Sequence, residues 1–309
     1  MPNGLPPIEW PADNPYSNVK ATLGKLLFFD LRLSSDGTIS CASCHSSQAV
    51  FGDGAAVSTG IRAQEGTRNA PTVINSVYNT SQFWDGRADT LETQALGPLI
   101  NPIEMGNTHL AIVDRLKQIG RYRDLMRLSF GTEEFTITEV AKAIATFERT
   151  VLSGNSAFDR HQAGDQSALT EQQIRGMELF FGKANCFRCH AGPLFTDGRF
   201  RNIGIGTDKP NADAGRYNVT LDAADWAAFK TPGLRDISAT APYMHDGSLK
   251  TLEEVVELYV KGGIPNVNLN TRLRPVDLNV DERKSLVAFL RSLSGDGWRC
   301  ISPPDKLPE

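Results

Sequence analysis

No stretch of the 309-residue chain approaches about 18 uninterrupted apolar residues, so no transmembrane helix is written in it. Nor is there an excess of basic charge. Lys and Arg number 32 against 36 Asp and Glu, a net charge of -4, which leaves no positive stripe to neutralise phosphates and argues against nucleic acid as a partner. Glycine (27) and proline (17) are spread rather than concentrated, and with 40% apolar and 22% charged residues the composition excludes disorder, collagen and coiled coil. The opening MPNGLPPIEW lacks the basic and apolar regions of a signal peptide. Cysteine is scarce, five residues in all, which does not make a disulfide framework.

What is present is concentrated at four of those cysteines. Cys41, Cys44 and His45 form CASCH, and Cys186, Cys189 and His190 form CFRCH. Five cysteines and five histidines scattered at random through the chain would produce a C-x-x-C-H match about 0.001 times, so two are expected on the order of once in a million sequences. The spacing has a chemical reason. Two thiols three positions apart on one helical turn reach the two vinyl groups of a haem, and the following histidine supplies a nitrogen to its iron. A zinc site built from the four cysteines, or a thioredoxin-like redox pair, requires no histidine after the second cysteine. Each motif therefore reads as one covalent c-type haem. Because bacterial attachment of such haems is completed outside the cytoplasm, the expected location is the periplasm, with a signal peptide removed ahead of this numbering.

Helical periodicity outweighs strand alternation. Helices are predicted over 19–29, 90–96, 108–119, 121–128, 138–152 (capped by Thr138), 170–181, 251–259 and 280–293. The stretches 46–66 and 191–224 read as long loops that a haem would hold in place. The halves thus repeat a plan of helix, C-x-x-C-H and irregular stretch. The expected fold is mainly α: two cytochrome c-like domains, 1–160 with haem 1 and 161–309 with haem 2, with long irregular loops and few strands. The periodicity breaks at 154–166, and the tail from Gly295 could pack back on the first domain.

Four further stretches, RNAPTV (68–73), QFWDGRADTLETQALGPLINPIEM (82–105), FKTPGLRDI (229–237) and TAPYMHDGSLKTLEEVVELY (240–259), together with the two haem motifs, resemble the di-haem cytochrome c peroxidase family and specifically its MauG-like branch. The resemblance covers nearly the whole chain. In conventional members a distal histidine comes from the loop after the first motif, whereas here no histidine lies between His45 and His109. Where those members carry a methionine ligand, this chain has Tyr259, as the MauG-like branch does.

The resemblance implies roles residue by residue. His45 and His190 would be proximal ligands, and Tyr259 the opposite axial ligand of haem 2. Gln94, Pro98 and Glu104 match the pocket where peroxide meets haem 1, and Trp84 the indole between the haems. Asn69, Thr240 and Pro242 match the ligands of a calcium ion set between the domains, the last two through backbone carbonyls; a hard cation suits such oxygens. Ala184 stands where MauG has a surface tryptophan that relays electrons from its protein substrate, which separates this chain from MauG itself and leaves room for a likeness to MauG relatives of copper-peptide gene clusters.

Other candidates read more plainly. His245 reads as a turn residue, His109 and His161 as surface or capping residues, and Met244 as a thioether one residue from a turn. Cys300 reads as a free thiol or as one half of an intermolecular disulfide, and Trp10, Trp226 and Trp298 as packing residues rather than electron-relay sites. The implied activity is a MauG-like oxidase that uses hydrogen peroxide to form a high-valent, bis-ferryl-type state and oxidises Trp or Tyr residues of a partner protein by long-range electron transfer. The alternatives are a conventional peroxidase, reducing peroxide with electrons from a small redox protein, and a di-haem electron shuttle in which Gln94 and Glu104 would be idle.

Overall fold

The computed structural model describes residues 1–309. Its first half contains α1 (Asn18–Phe28), a single turn α2 (Cys41–Cys44), α3 (Leu91–Ile100), α4 (His109–Lys117), α5 (Gly120–Phe130), α6 (Ile137–Glu148) and α7 (Ala157–Gln162). The second contains α8 (Glu171–Phe181), another single turn α9 (Tyr217–Thr220), α10 (Leu252–Val260) and α11 (Val280–Arg291). Strand structure is confined to β1 (Phe200–Arg201) and β2 (Phe229–Lys230), antiparallel with Phe200 opposite Lys230. The protein is mainly helical.

Most helices begin where a side chain satisfies the free N–H groups of the first turn. Ser17 accepts from the Lys20 amide, Thr90 from that of Thr93 and Thr251 from that of Glu254. Two boundaries differ from expectation. The sixth helix is capped by Thr136, whose capping box with Glu139 outcompetes Thr138, and it ends at Glu148. The stretch 154–166 is not simply a break, because Ser156 and Asp159 form a capping box that starts α7. Asp159 is then fixed by Arg235 through two hydrogen bonds of 2.7 and 2.8 Å, both side chains being almost fully buried. That pairing over 76 residues is invisible to local periodicity.

The buried apolar residues form two clusters. The first joins α1, α3, α4, α5 and α6 through Leu23, Phe28, Leu99, Ile112, Tyr122 and Phe147, and it takes in Trp298 from the tail. The second joins α8, α10 and α11 through Phe180, Val256, Leu286 and Phe289. Each cluster turns on one crossing in which glycine lets a helix touch a neighbour's backbone. A Cβ on Gly24 of α1 would stand 1.9 Å from the Ala143 carbonyl oxygen of α6, and one on Gly176 of α8 would stand 1.9 Å from that of Ser285 on α11. Any side chain there would force the helices apart. These crossings set each C-x-x-C-H turn against its core.

Candidate haem sites

Each motif places its histidine in the same way. The His45 amide donates to Cys41 O and the His190 amide to Cys186 O, both at 2.9 Å, which closes one turn and turns the ring inward. The His45 Nδ1 then lies 3.2 Å from Phe51 O, and the His190 Nδ1 2.9 Å from Phe195 O. A Nδ1–H held by a carbonyl fixes the tautomer and leaves Nε2 as the free donor atom, the arrangement expected of a metal-ligating imidazole. Burial lowers both histidine pKa values and so favours the neutral form that can bind iron.

None of the five cysteines is paired in a disulfide, and no three His, Cys, Asp or Glu side chains cluster as a metal site. That removes the four-cysteine zinc reading. Burial pushes the Cys41 thiol above its usual range and the Cys186 thiol up to about 12. Between the motifs the interior opens into one cavity of about 1130 Å³, lined by both C-x-x-C-H sequences, in a protein whose core is otherwise closely packed. The residues present therefore fit a haem at each motif.

Opposite the histidines the halves follow one register with different residues. The turn closed by the Gln82–Ala88 bridge has a counterpart in the one closed by Tyr243–Leu249, and the caps Thr90 and Thr251 match, each pair being 161 positions apart. Within those turns Phe83 and Met244 both have positive φ, as do Gly86 and Gly247. Carried into the helices, the register sets Pro98 of α3 against Tyr259 of α10, and both line the cavity. Pro98 has no N–H for the carbonyl of Gln94 one turn back and no donor atom for a metal. Tyr259 offers a phenol, its pKa raised by burial.

Gln94 and Glu104 line the cavity on the Pro98 side. Glu104 Oε1 accepts from Asn101 Nδ2 at 2.6 Å, which leaves Oε2 to carry a proton. Burial raises the Glu104 pKa, with Arg87 and Asn101 pulling the other way. Arg87 is stacked 3.5 Å above Phe83 and pairs with Asp85.

The interface between the halves is reciprocal. The Asn69 amide donates to His245 O at 2.7 Å, and the Lys230 amide donates to Trp84 O at 2.8 Å. Asn69 matches Lys230, and Trp84 matches His245, at the same spacing of 161. This is the exchange of contacts that two related surfaces make on each other. The Trp84 indole N–H also donates to Asn69 O at 2.8 Å, so its ring is fixed at the junction. Asn69, Thr240 and Pro242 line the same cavity.

A family model described as di-haem cytochrome c peroxidase matches residues 18–167. The chain is 42% identical over 292 residues to the methylamine utilization protein MauG of Methylorubrum extorquens, covering 94% of this chain and 82% of that one. It belongs to the di-haem cytochrome c peroxidase family. The cytochrome c551 peroxidase of Nitrosomonas europaea is 41% identical over 306 residues, with 98% and 86% of the two chains covered. Among solved structures, a MauG-like protein associated with microbial copper homeostasis superposes with a TM-score of 0.90 at 34% identity, covering 97% of this chain and 96% of that one. As a family member the chain is a haem-dependent oxidoreductase acting with peroxide, and it carries two haems.

The structure places Cys41, Cys44, His45, Gln94, Pro98 and Glu104 of the first half and Cys186, Cys189, His190 and Tyr259 of the second on the wall of the same cavity, with Trp84 at the junction of the halves. Met244 also lines it. His109 and His161 stand apart, the first 3.3 Å from Leu96 O. Trp10 packs on Tyr16, Trp298 is buried with its N–H on Asp236, and Cys300 is exposed. His245 is more than a turn residue: it is buried, stacked 3.6 Å from Phe229, and its pKa falls to about 4 through loss of solvent. Sequence reading missed Lys230, whose ammonium donates to Ser81 O and whose pKa burial lowers to about 8, and it missed Glu148. The signal for Lys230 was its place in FKTPGLRDI, and for Glu148 its place on the apolar face of α6.

Proposed function

We propose that this family member is a MauG-type oxidase, which uses hydrogen peroxide to withdraw electrons from Trp or Tyr residues of a docked partner protein. One observation carries the reading: the helix position that holds Tyr259 in one half holds Pro98 in the other. The phenolate that Tyr259 would present to iron is a hard, anionic ligand that favours oxidised iron, whereas methionine favours reduced iron. Pro98 supplies no ligand, and no histidine lies between His45 and His109 to supply one, so this side stays open to peroxide.

The two haems, when bound, supply the chemistry of peroxide reduction and hold its oxidising equivalents. The chain's own residues do the rest. Glu104, through Oε2, takes the proton from the inner peroxide oxygen and with Gln94 returns it to the outer one, work that requires hydrogen-bond reach to both atoms. Trp84, fixed by Asn69 and Lys230, is the electronic bridge between the halves. Asn69, Thr240 and Pro242 hold a calcium ion there through oxygen atoms, and the protein works in the periplasm. No helix is long and apolar enough to cross a membrane.

The test is to mix the fully ferric holoprotein with hydrogen peroxide and no electron donor. Immediate formation of an oxidised spectrum that decays by taking electrons from protein side chains is expected. If peroxide reacts only after one-electron reduction, the protein is a conventional peroxidase, as the Nitrosomonas relative is named.

A further inference from the structure

Glu148 is the last residue of α6, 5% exposed, and it lines the cavity. Its counterpart in the second half follows from the helix crossings. Gly24 meets Ala143 and Phe147 as Gly176 meets Ser285 and Phe289, so Phe147 matches Phe289, and the next residue in each helix is Glu148 or Leu290. Leu290 and, one turn earlier, the matching pair Ile144 and Leu286 line the cavity too. A leucine is therefore sufficient to seal this position against a haem. The first half puts a carboxyl group there instead.

No side chain of the protein is paired with that carboxyl group. Its Oε2 has no hydrogen-bond partner. Arg149, its neighbour in sequence, is committed to Glu92 of α3 by two hydrogen bonds of 2.6 and 2.8 Å. Lys20 of α1 is tied to Asn14 Oδ1 and Pro15 O. From α4 the buried residues are Ile112, Val113 and Leu116, none of them ionisable. Cys41 is close enough for the Glu148 charge to raise its pKa, and His45 and Glu104 line the same cavity. An unpaired carboxylate is costly in such a place, and the group keeps its proton. Burial pushes its pKa up to about 8, against the pull of Arg149 and with the push of Glu92.

We propose that Glu148 is a proton-holding residue for haem 1, losing its proton when that haem is oxidised and regaining it on reduction, a carboxyl-linked proton coupling that the second half, with Leu290 at this position, lacks. When haem 1 gives up one electron to an electrode or other one-electron acceptor, the Glu148 O–H bond would break, the proton would pass to solvent, and the carboxylate would offset the added positive charge. The inference is independent of whether the final electron donor is a partner's side chain or a small redox protein.

The test is a spectroelectrochemical titration of the holoprotein as a function of pH, with redox-difference infrared spectra. In the wild type the haem 1 midpoint should fall as pH rises, toward the limit of about 59 mV per tenfold change in proton concentration for one proton per electron. Oxidation should erase a protonated-carboxyl band. Glu148→Gln, which keeps size and polarity, should flatten that dependence and remove the band while both haems stay attached; Glu148→Leu should do the same by reproducing the second half. Glu104→Gln should keep the band. An unchanged slope and an unchanged band in Glu148→Gln would overturn the proposal.

Discussion

In the first half α1 crosses α6 with Gly24 on the Ala143 carbonyl, and in the second α8 crosses α11 with Gly176 on that of Ser285. The agreement continues past the haem motifs. Asn75 and Asp236, both with positive φ, donate their amides to Val151 O and Leu293 O, and their side-chain oxygens accept from the amides of Ser153 and Gly295. Among the cavity positions that diverge from this shared frame are Gln94 against Val255, Pro98 against Tyr259, and Glu148 against Leu290. One half combines proton-carrying groups with no ligand, while the other combines apolar walls with one phenol. Scaffold and chemistry are thus separable, and a site is changed by a few side chains on a backbone that stays the same.

The largest effect expected from breaking the comparison is at Glu104, which has no ionisable counterpart across the register. Glu104→Gln should slow the reaction of ferric protein with peroxide by about two to four decades, as loss of general acid–base catalysis does. Stopped-flow absorbance measures it, and haem content should not change. The packing half of the comparison is sharpened by Gly24→Ala and Gly176→Ala. Each places a methyl group where a carbonyl oxygen stands 1.9 Å away, and each should cost about 1–3 kcal/mol in denaturant unfolding. Equal losses support a common crossing, and a tolerated alanine at either site contradicts it. The smallest stability change belongs to Trp84→Phe, which removes the N–H donated to Asn69 O and should cost about 0.5–1.5 kcal/mol. Its functional signature is separate: peroxide still reacts in the first half, and the second haem no longer shares the oxidation.

The haem motifs, the mainly helical fold and the order of helices were legible because they depend on local spacing: two thiols and a histidine on one turn, or an apolar stripe behind a capping residue. The Pro98–Tyr259 and Asn69–Lys230 correspondences were not, because the repeated frame keeps backbone conformations while changing most side chains. Gly86 and Gly247 survive as glycines, yet Phe83 and Met244 share a positive φ with no common chemistry. Glu148 was hidden for a different reason. On α6 it falls four residues after Ile144, where periodicity calls for an apolar residue, and only the packed structure shows that Arg149 turns to Glu92 and leaves it alone. The Asp159–Arg235 pair that fixes the start of α7 joins residues far apart in the chain and has no local signature.

The central claim is that one shared frame leaves one iron open at Pro98 and closes the other with Tyr259. The ferric electron paramagnetic resonance spectrum of the holoprotein tests it most directly, because it counts spin states haem by haem. The account predicts one high-spin and one low-spin haem in the wild type, and loss of the low-spin signal in Tyr259→Phe with the first haem unchanged. Two low-spin haems in the wild type, or a low-spin signal that survives Tyr259→Phe, would contradict it.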